Sequence, residues 1–72
     1  MKTDIVLTPD ILVKNGWFKD DRLKEYYGPI SIVLQYYNKS FYYLGFKINY
    51  LNELMDILIL NGLKKYADNF IC

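Results

Sequence analysis

The sequence predicts a two-layer α+β domain over residues 1–72: a short N-terminal helix, an antiparallel sheet of two to three strands, and a long C-terminal helix packed on one sheet face. Three stretches carry that reading. LTPDILVKNGW, residues 7–17, has the start and stop signals of a helix. ISIVLQYYNKSFYYLGFKI, residues 30–48, reads as two strands about a polar turn. LNELMDIL, residues 51–58, sets its large apolar side chains at helical spacing.

In the first helix Thr8 is a suitable N-cap, Pro9 suits the first helical position, and Asp10 complements the positive end of the dipole. Leu7 and Leu12 can form a hydrophobic staple across the cap. Gly16 can take the left-handed C′ conformation and let Trp17 fold back on Leu12. A helix of about two turns is marginal alone, so Trp17 and Phe18 are the expected docking residues. FKDDRLKEYYGP follows. Asp20, Asp21, Arg22 and Lys24 suggest a solvated loop, and Leu23–Tyr27 an edge strand ending at Gly28-Pro29.

The hairpin needs a register, because a slip of one residue moves a whole strand to the other face. A two-residue turn at Asn38-Lys39 would pair Tyr37 with Ser40 and mix apolar and polar sets. A three-residue loop, Asn38-Lys39-Ser40, pairs Tyr37 with Phe41 instead. It brings Ile30, Ile32, Leu34 and Tyr36 beside Ile48, Phe46, Leu44 and Tyr42 on one apolar face, and is therefore the expected register. The opposite face then carries Gln35, Tyr37, Phe41, Tyr43 and Lys47, with Lys39 at its rim; these six residues form the expected binding surface. Either the N-terminal helix covers this face, or it meets another protein, or its rings stack bases at about 1–3 kcal/mol each.

The C-terminal helix opens at Asn49 as cap and stops at Asn61-Gly62, with Leu51, Leu54, Met55 and Leu58 as its core stripe. Gly62 repeats the earlier ending, with Leu63 folding back on Leu58. Ile59 and Leu60 lie off the stripe. They are expected to face either the tail or a second subunit. In the tail, Leu63, Tyr66, Ala67 and Phe70 share the spacing of a further short helix.

Size and composition set the remaining limits. At 72 residues the core is near the lower limit for unaided folding, and 53% apolar content with few staples points to a homo-oligomer. Histidine is absent, and the one cysteine, Cys72, lacks an intrachain partner. No metal, no cofactor and no enzymatic activity are expected. Glu53 and Asp56 read as a solvated helix face, and the four glycines are too scattered to cradle phosphate. A net charge of +1 is far from that of a dedicated nucleic-acid binder. Asp4 and Asp10 interrupt any leader-like stretch, and the longest uncharged run is too short to span a bilayer. The expected location is the cytoplasm. The abundance of tyrosine accompanies that of Ile, Lys, Asn and Phe, all encoded by AT-rich codons, so it does not itself assign a binding role.

LTPDILVKNGW resembles the start of small proteins from phages and mobile elements of gut bacteria, which often read close to LTPEILEKNGF. INYLNELMDILILNGL resembles their C-terminal helix, near YVHELQHALRLCGI. That helix can show His-Glu-x-x-His, a zinc-protease spacing. Here Asn52 and Asp56 stand at the histidine positions while Glu53 remains, so the metal-hydrolase reading fails for this chain. The resemblance implies a phage-type accessory protein acting in a bacterial host cell. The leading expectation is a non-enzymatic homo-oligomer that binds a host protein, with inhibition of host defence as the activity class. The alternatives are capture of a nucleotide or single-stranded nucleic acid on an aromatic sheet face, and a structural phage component.

Overall fold

In the computed structural model, which describes residues 5–71, the chain runs α1 (Pro9–Lys14), β1 (Phe18–Asp20), β2 (Glu25–Tyr27), β3 (Val33–Tyr37), β4 (Ser40–Tyr43), β5 (Phe46–Ile48), α2 (Leu51–Leu60) and α3 (Lys64–Asp68). The strands form one antiparallel sheet in chain order. The expected sheet of two to three strands under a long C-terminal helix is thereby corrected. The sheet has five strands, and α2, of ten residues, is followed by a separate five-residue helix.

Local chemistry explains each departure. Asp20 Oδ1 accepts from the backbone N–H of Arg22 at 3.0 Å and of Leu23 at 3.2 Å, a side-chain-closed turn. That turn lets Phe18–Asp20 pair back on Glu25–Tyr27, so the edge strand is β1, and Leu23 lies exposed in the turn. Asn38 and Lys39 both have positive φ, 52° and 60°, and make a two-residue hairpin turn that pairs Tyr37 with Ser40. Leu44 and Gly45, at 50° and 88°, make a second one and divide the expected strand of residues 41–48 into β4 and β5. Ile30, expected on the inner face, sits with positive φ in the 3-10 turn Pro29–Ser31 and is exposed.

The two even-length turns decide which side chains face inward. Tyr26 pairs with Leu34 and Phe41 with Ile48 across neighbouring strands, and all four are between 0% and 3% exposed. They share one buried cluster with Leu7, Leu12 and Trp17 around α1, with Leu51, Leu54 and Leu58 of α2, and with Ala67 of α3. All the helices thus lie on the same side of the sheet. Each fully buried Leu or Phe of this cluster contributes about 1.5–3 kcal/mol relative to exposure.

The helix ends follow their sequence signals. Thr8 Oγ1 accepts from Ile11 N–H at 3.4 Å, Pro9 opens α1, and Gly16, at φ 86°, lets Trp17 N–H reach Leu12 O at 3.0 Å. Gly62 does the same for Leu63 and Leu58, at 2.9 Å. At the start of α2 the cap differs from expectation. Tyr50, not Asn49, is the cap residue, and Glu53 Oε1 accepts from the N–H groups of Asn49 (2.7 Å) and Tyr50 (2.9 Å). Asn15, at the end of α1, holds the tail after α3: its amide donates to Ile71 O at 2.6 Å and accepts from Ile71 N–H at 2.7 Å.

Candidate functional site

Period-2 alternation across the five strands defines an outer face of Phe18, Asp20, Glu25, Tyr27, Val33, Gln35, Tyr37, Ser40, Tyr42 and Lys47. None of these is buried. Nothing among the described residues covers this face, because α1 and Trp17 belong to the inner cluster; of the three alternatives for it, cover by the N-terminal helix is excluded. The indole of Trp17 instead lies against Gly28, where a Cβ would come within 2.5 Å of Cη2.

Two stacked pairs pattern the face. Phe18 and Tyr27 have ring centroids 6.2 Å apart at 16°, and Tyr37 and Tyr42 are 4.5 Å apart at 10°. The Tyr27 hydroxyl donates to Glu25 Oε1 at 2.7 Å, and that bond holds the phenol proton on and raises its pKa. With Asp20 and Glu25 against Lys47, the charge on the face is slightly negative.

Of the expected binding residues, Gln35, Tyr37 and Lys47 stand on this face and Lys39 at its rim. Phe41 and Tyr43 do not. Phe41 is 2% exposed in the core, and the Tyr43 hydroxyl accepts a long bond, 3.5 Å, from Asn61 Nδ2 at the end of α2. The inversion comes from the register: the two-residue turn at Asn38-Lys39 replaces the expected three-residue loop and sends odd-numbered positions of β4 inward. Tyr42, expected inside, is turned outward for the same reason, whereas Val33 stands on the outer face as expected; Phe18 and Tyr27 join it there through the pairing of β1 and β2. Ile59 and Leu60 are exposed, Leu60 at 85%. The Asn61–Tyr43 contact brings them to the end of the sheet where Leu44 and Phe46 are also exposed.

A second feature lies at the opposite end, where the β1–β2 and β3–β4 turns meet and Tyr36 N–H donates to Lys24 O at 2.9 Å. A hollow of about 390 Å³ is lined there by Lys19, Asp21, Lys24, Tyr26, Tyr36, Tyr37, Asn38 and Lys39. Lys19 Nζ lies 3.2 Å from Asp21 Oδ1, and that hydrogen bond, with the nearby Tyr26, raises the lysine pKa. Burial raises the pKa of Tyr26 against the opposing effect of Lys19.

Glu53 is engaged in capping α2, and Asp56 points to solvent. Among the described residues no group of three or more His, Cys, Asp or Glu comes together to hold a metal ion. No helix among them is long and apolar enough to cross a membrane. Cys72 lies outside the described residues. Comparison with family models, curated proteins and solved structures finds no match for the chain.

Proposed function

We propose that this chain is a small non-enzymatic accessory protein of phage type that binds a host protein through the outer face of its sheet and works as a homo-oligomer. The observation that carries the reading is the uncovered face itself: four of the five strands place Phe18, Tyr27, Val33, Tyr37 and Tyr42 on it, none of them buried, while every helix packs on the other side. The row Asp20, Glu25, Gln35, Tyr42 and Lys47 crosses the middle of the face, with Phe18, Tyr27 and Val33 on one side and Tyr37 on the other; aromatic groups interleaved with polar ones are common in protein interfaces. Charge separates this reading from nucleic-acid stacking. Asp20 and Glu25 outnumber Lys47, and a phosphate backbone gains affinity chiefly from surplus lysine and arginine. The phage context, and inhibition of host defence as the activity class, rest on the resemblance of the two end segments.

Self-association is supported by Leu44, Phe46, Ile59 and Leu60, exposed at one end of the molecule. Light scattering at micromolar concentration should give a dimer or larger mass, lowered by Leu60→Lys; a monomeric wild-type mass would overturn that part. The partner surface is tested with a photo-crosslinking residue placed at Gln35 or, as control, at Asp56. Specific adducts in host lysate from position 35 alone, abolished by Val33→Lys with Tyr42→Asp, are expected. Equal labelling from both positions would defeat the proposal.

A further inference from the structure

We infer that the hollow between the β1–β2 and β3–β4 turns is a binding site for a nucleoside phosphate, with Lys24 and Lys39 taking the phosphate and the tyrosine rings taking the base. The hollow borders the outer face, with Tyr37 and Lys39 common to both, and needs no protein partner to bind its ligand.

Charge is the first argument. Three lysines and one aspartate line the hollow, a local surplus of two positive charges in a chain whose net charge is +1. Asp21 is engaged by Lys19 at 3.2 Å. Lys24 and Lys39 have no ion pair among the described residues. Two ammonium groups of like sign held over one hollow repel each other until an anion lies between them.

Backbone conformation is the second. Lys24 and Lys39 have φ of 54° and 60°, in the left-handed region that disfavours any residue with a Cβ by about 1–2 kcal/mol. The other two-residue hairpin turn of this sheet has glycine at the equivalent position, Gly45, at φ 88°. Glycine would relieve the strain at position 39 as well. A lysine there keeps a charged side chain at the mouth of the hollow at a conformational cost.

The third is the aromatic wall. Tyr36 is braced edge-on against Tyr26, with centroids 6.0 Å apart, and tilted against Phe41 at 4.5 Å, so its ring is held from behind. Tyr26 keeps its proton at neutral pH and remains a hydrogen-bond donor. The half-buried Tyr36 ring and the exposed Tyr37 ring can accept a base by stacking, at about 1–3 kcal/mol per base, while buried Tyr26 offers only its hydroxyl. Inorganic phosphate would use only the lysines, and an acidic peptide would leave the rings without a matching flat partner. At about 390 Å³ the hollow falls in the size range of small-ligand sites.

The test is calorimetric titration, with amide shift mapping, of inorganic phosphate, adenosine monophosphate and a short single-stranded oligothymidine into the full chain and its Lys39→Gly variant. Glycine at a left-handed position should leave the melting temperature equal or raised, so a loss of binding in this variant is not a loss of fold. Adenosine monophosphate should bind more tightly than phosphate, shift the amides of Tyr36 to Lys39, and lose about tenfold or more in affinity with Lys39→Gly. If the oligonucleotide binds more tightly still, the nucleoside phosphate is supplied by a strand; if it binds no better, by a free nucleotide. Phosphate binding as tightly as the nucleotide, unchanged affinity in Lys39→Gly, or no binding by any probe would each overturn the inference.

Discussion

The two faces of the sheet are built from nearly the same residues and have opposite fates. The inner face carries Tyr26, Leu34, Tyr36, Phe41, Tyr43 and Ile48, and the outer face Phe18, Tyr27, Val33, Tyr37 and Tyr42. Hydrophobicity does not separate Phe41, in the core, from Tyr42 beside it. Strand parity does, and parity is set by two turns of two residues each. On β4, where aromatic residues alternate on both faces, sidedness comes from the turns, while Asp20, Glu25, Gln35 and Lys47 mark the outer face on the other strands.

Three perturbations would break or sharpen that contrast. The largest effect is expected from comparing neighbours on β4. Phe41→Ala should cost about 3–5 kcal/mol in denaturant unfolding, whereas Tyr42→Ala, which removes only a half-buried ring stacked on exposed Tyr37, should cost about 1 kcal/mol or less. Equal losses would mean that the two faces are not energetically distinct. A middle-sized effect is expected at Gly45, where Ala must adopt φ near 88° and should cost about 1–2 kcal/mol by the same measurement; no loss would show that this turn does not hold the parity of β5.

The smallest is an alkaline pH effect, to which Tyr27 of the outer face, its pKa raised by the Glu25 hydrogen bond, also contributes. Burial raises the pKa of Tyr26 and of Tyr66 above the usual 10.0. A tyrosine whose pKa is higher in the folded state gives stability that is complete below the unfolded pKa and is lost as pH rises through the folded one. The melting temperature should therefore hold steady to about pH 10 and fall above it. In Tyr26→Phe the fall should be shallower. An unchanged alkaline limb would remove Tyr26 from the account.

How much of this could be read from residues alone depends on the range of the signal. Thr8, Pro9, Gly16 and Gly62 act within one helical turn, and each does what its position suggests. Leu44-Gly45 is just as local, but it sits within FYYLGFKI, where apolar residues run on both sides and hide the strand break. Treating 41–48 as one strand made even positions look like the core set, and a three-residue loop was then needed to match them. One unseen turn thus produced the wrong length for the other. The hollow was less legible still. Lys19, Lys24 and Lys39 are spread over one strand and two turns, and only the meander brings them together. Glu53 looked like one member of a wet helix face, and its carboxylate instead closes the start of α2.

The indole resting on Gly28 gives the molecule an optical handle. Trp17 is the sole tryptophan, it follows directly on the stop of α1, and its ring touches the connection between β2 and β3. Its emission must therefore report whether the first helix is seated on the sheet, with no added label. Burst and relaxation phases recorded at that one ring would time the docking of the two layers, while partner contacts on the far side of the sheet should leave it dark.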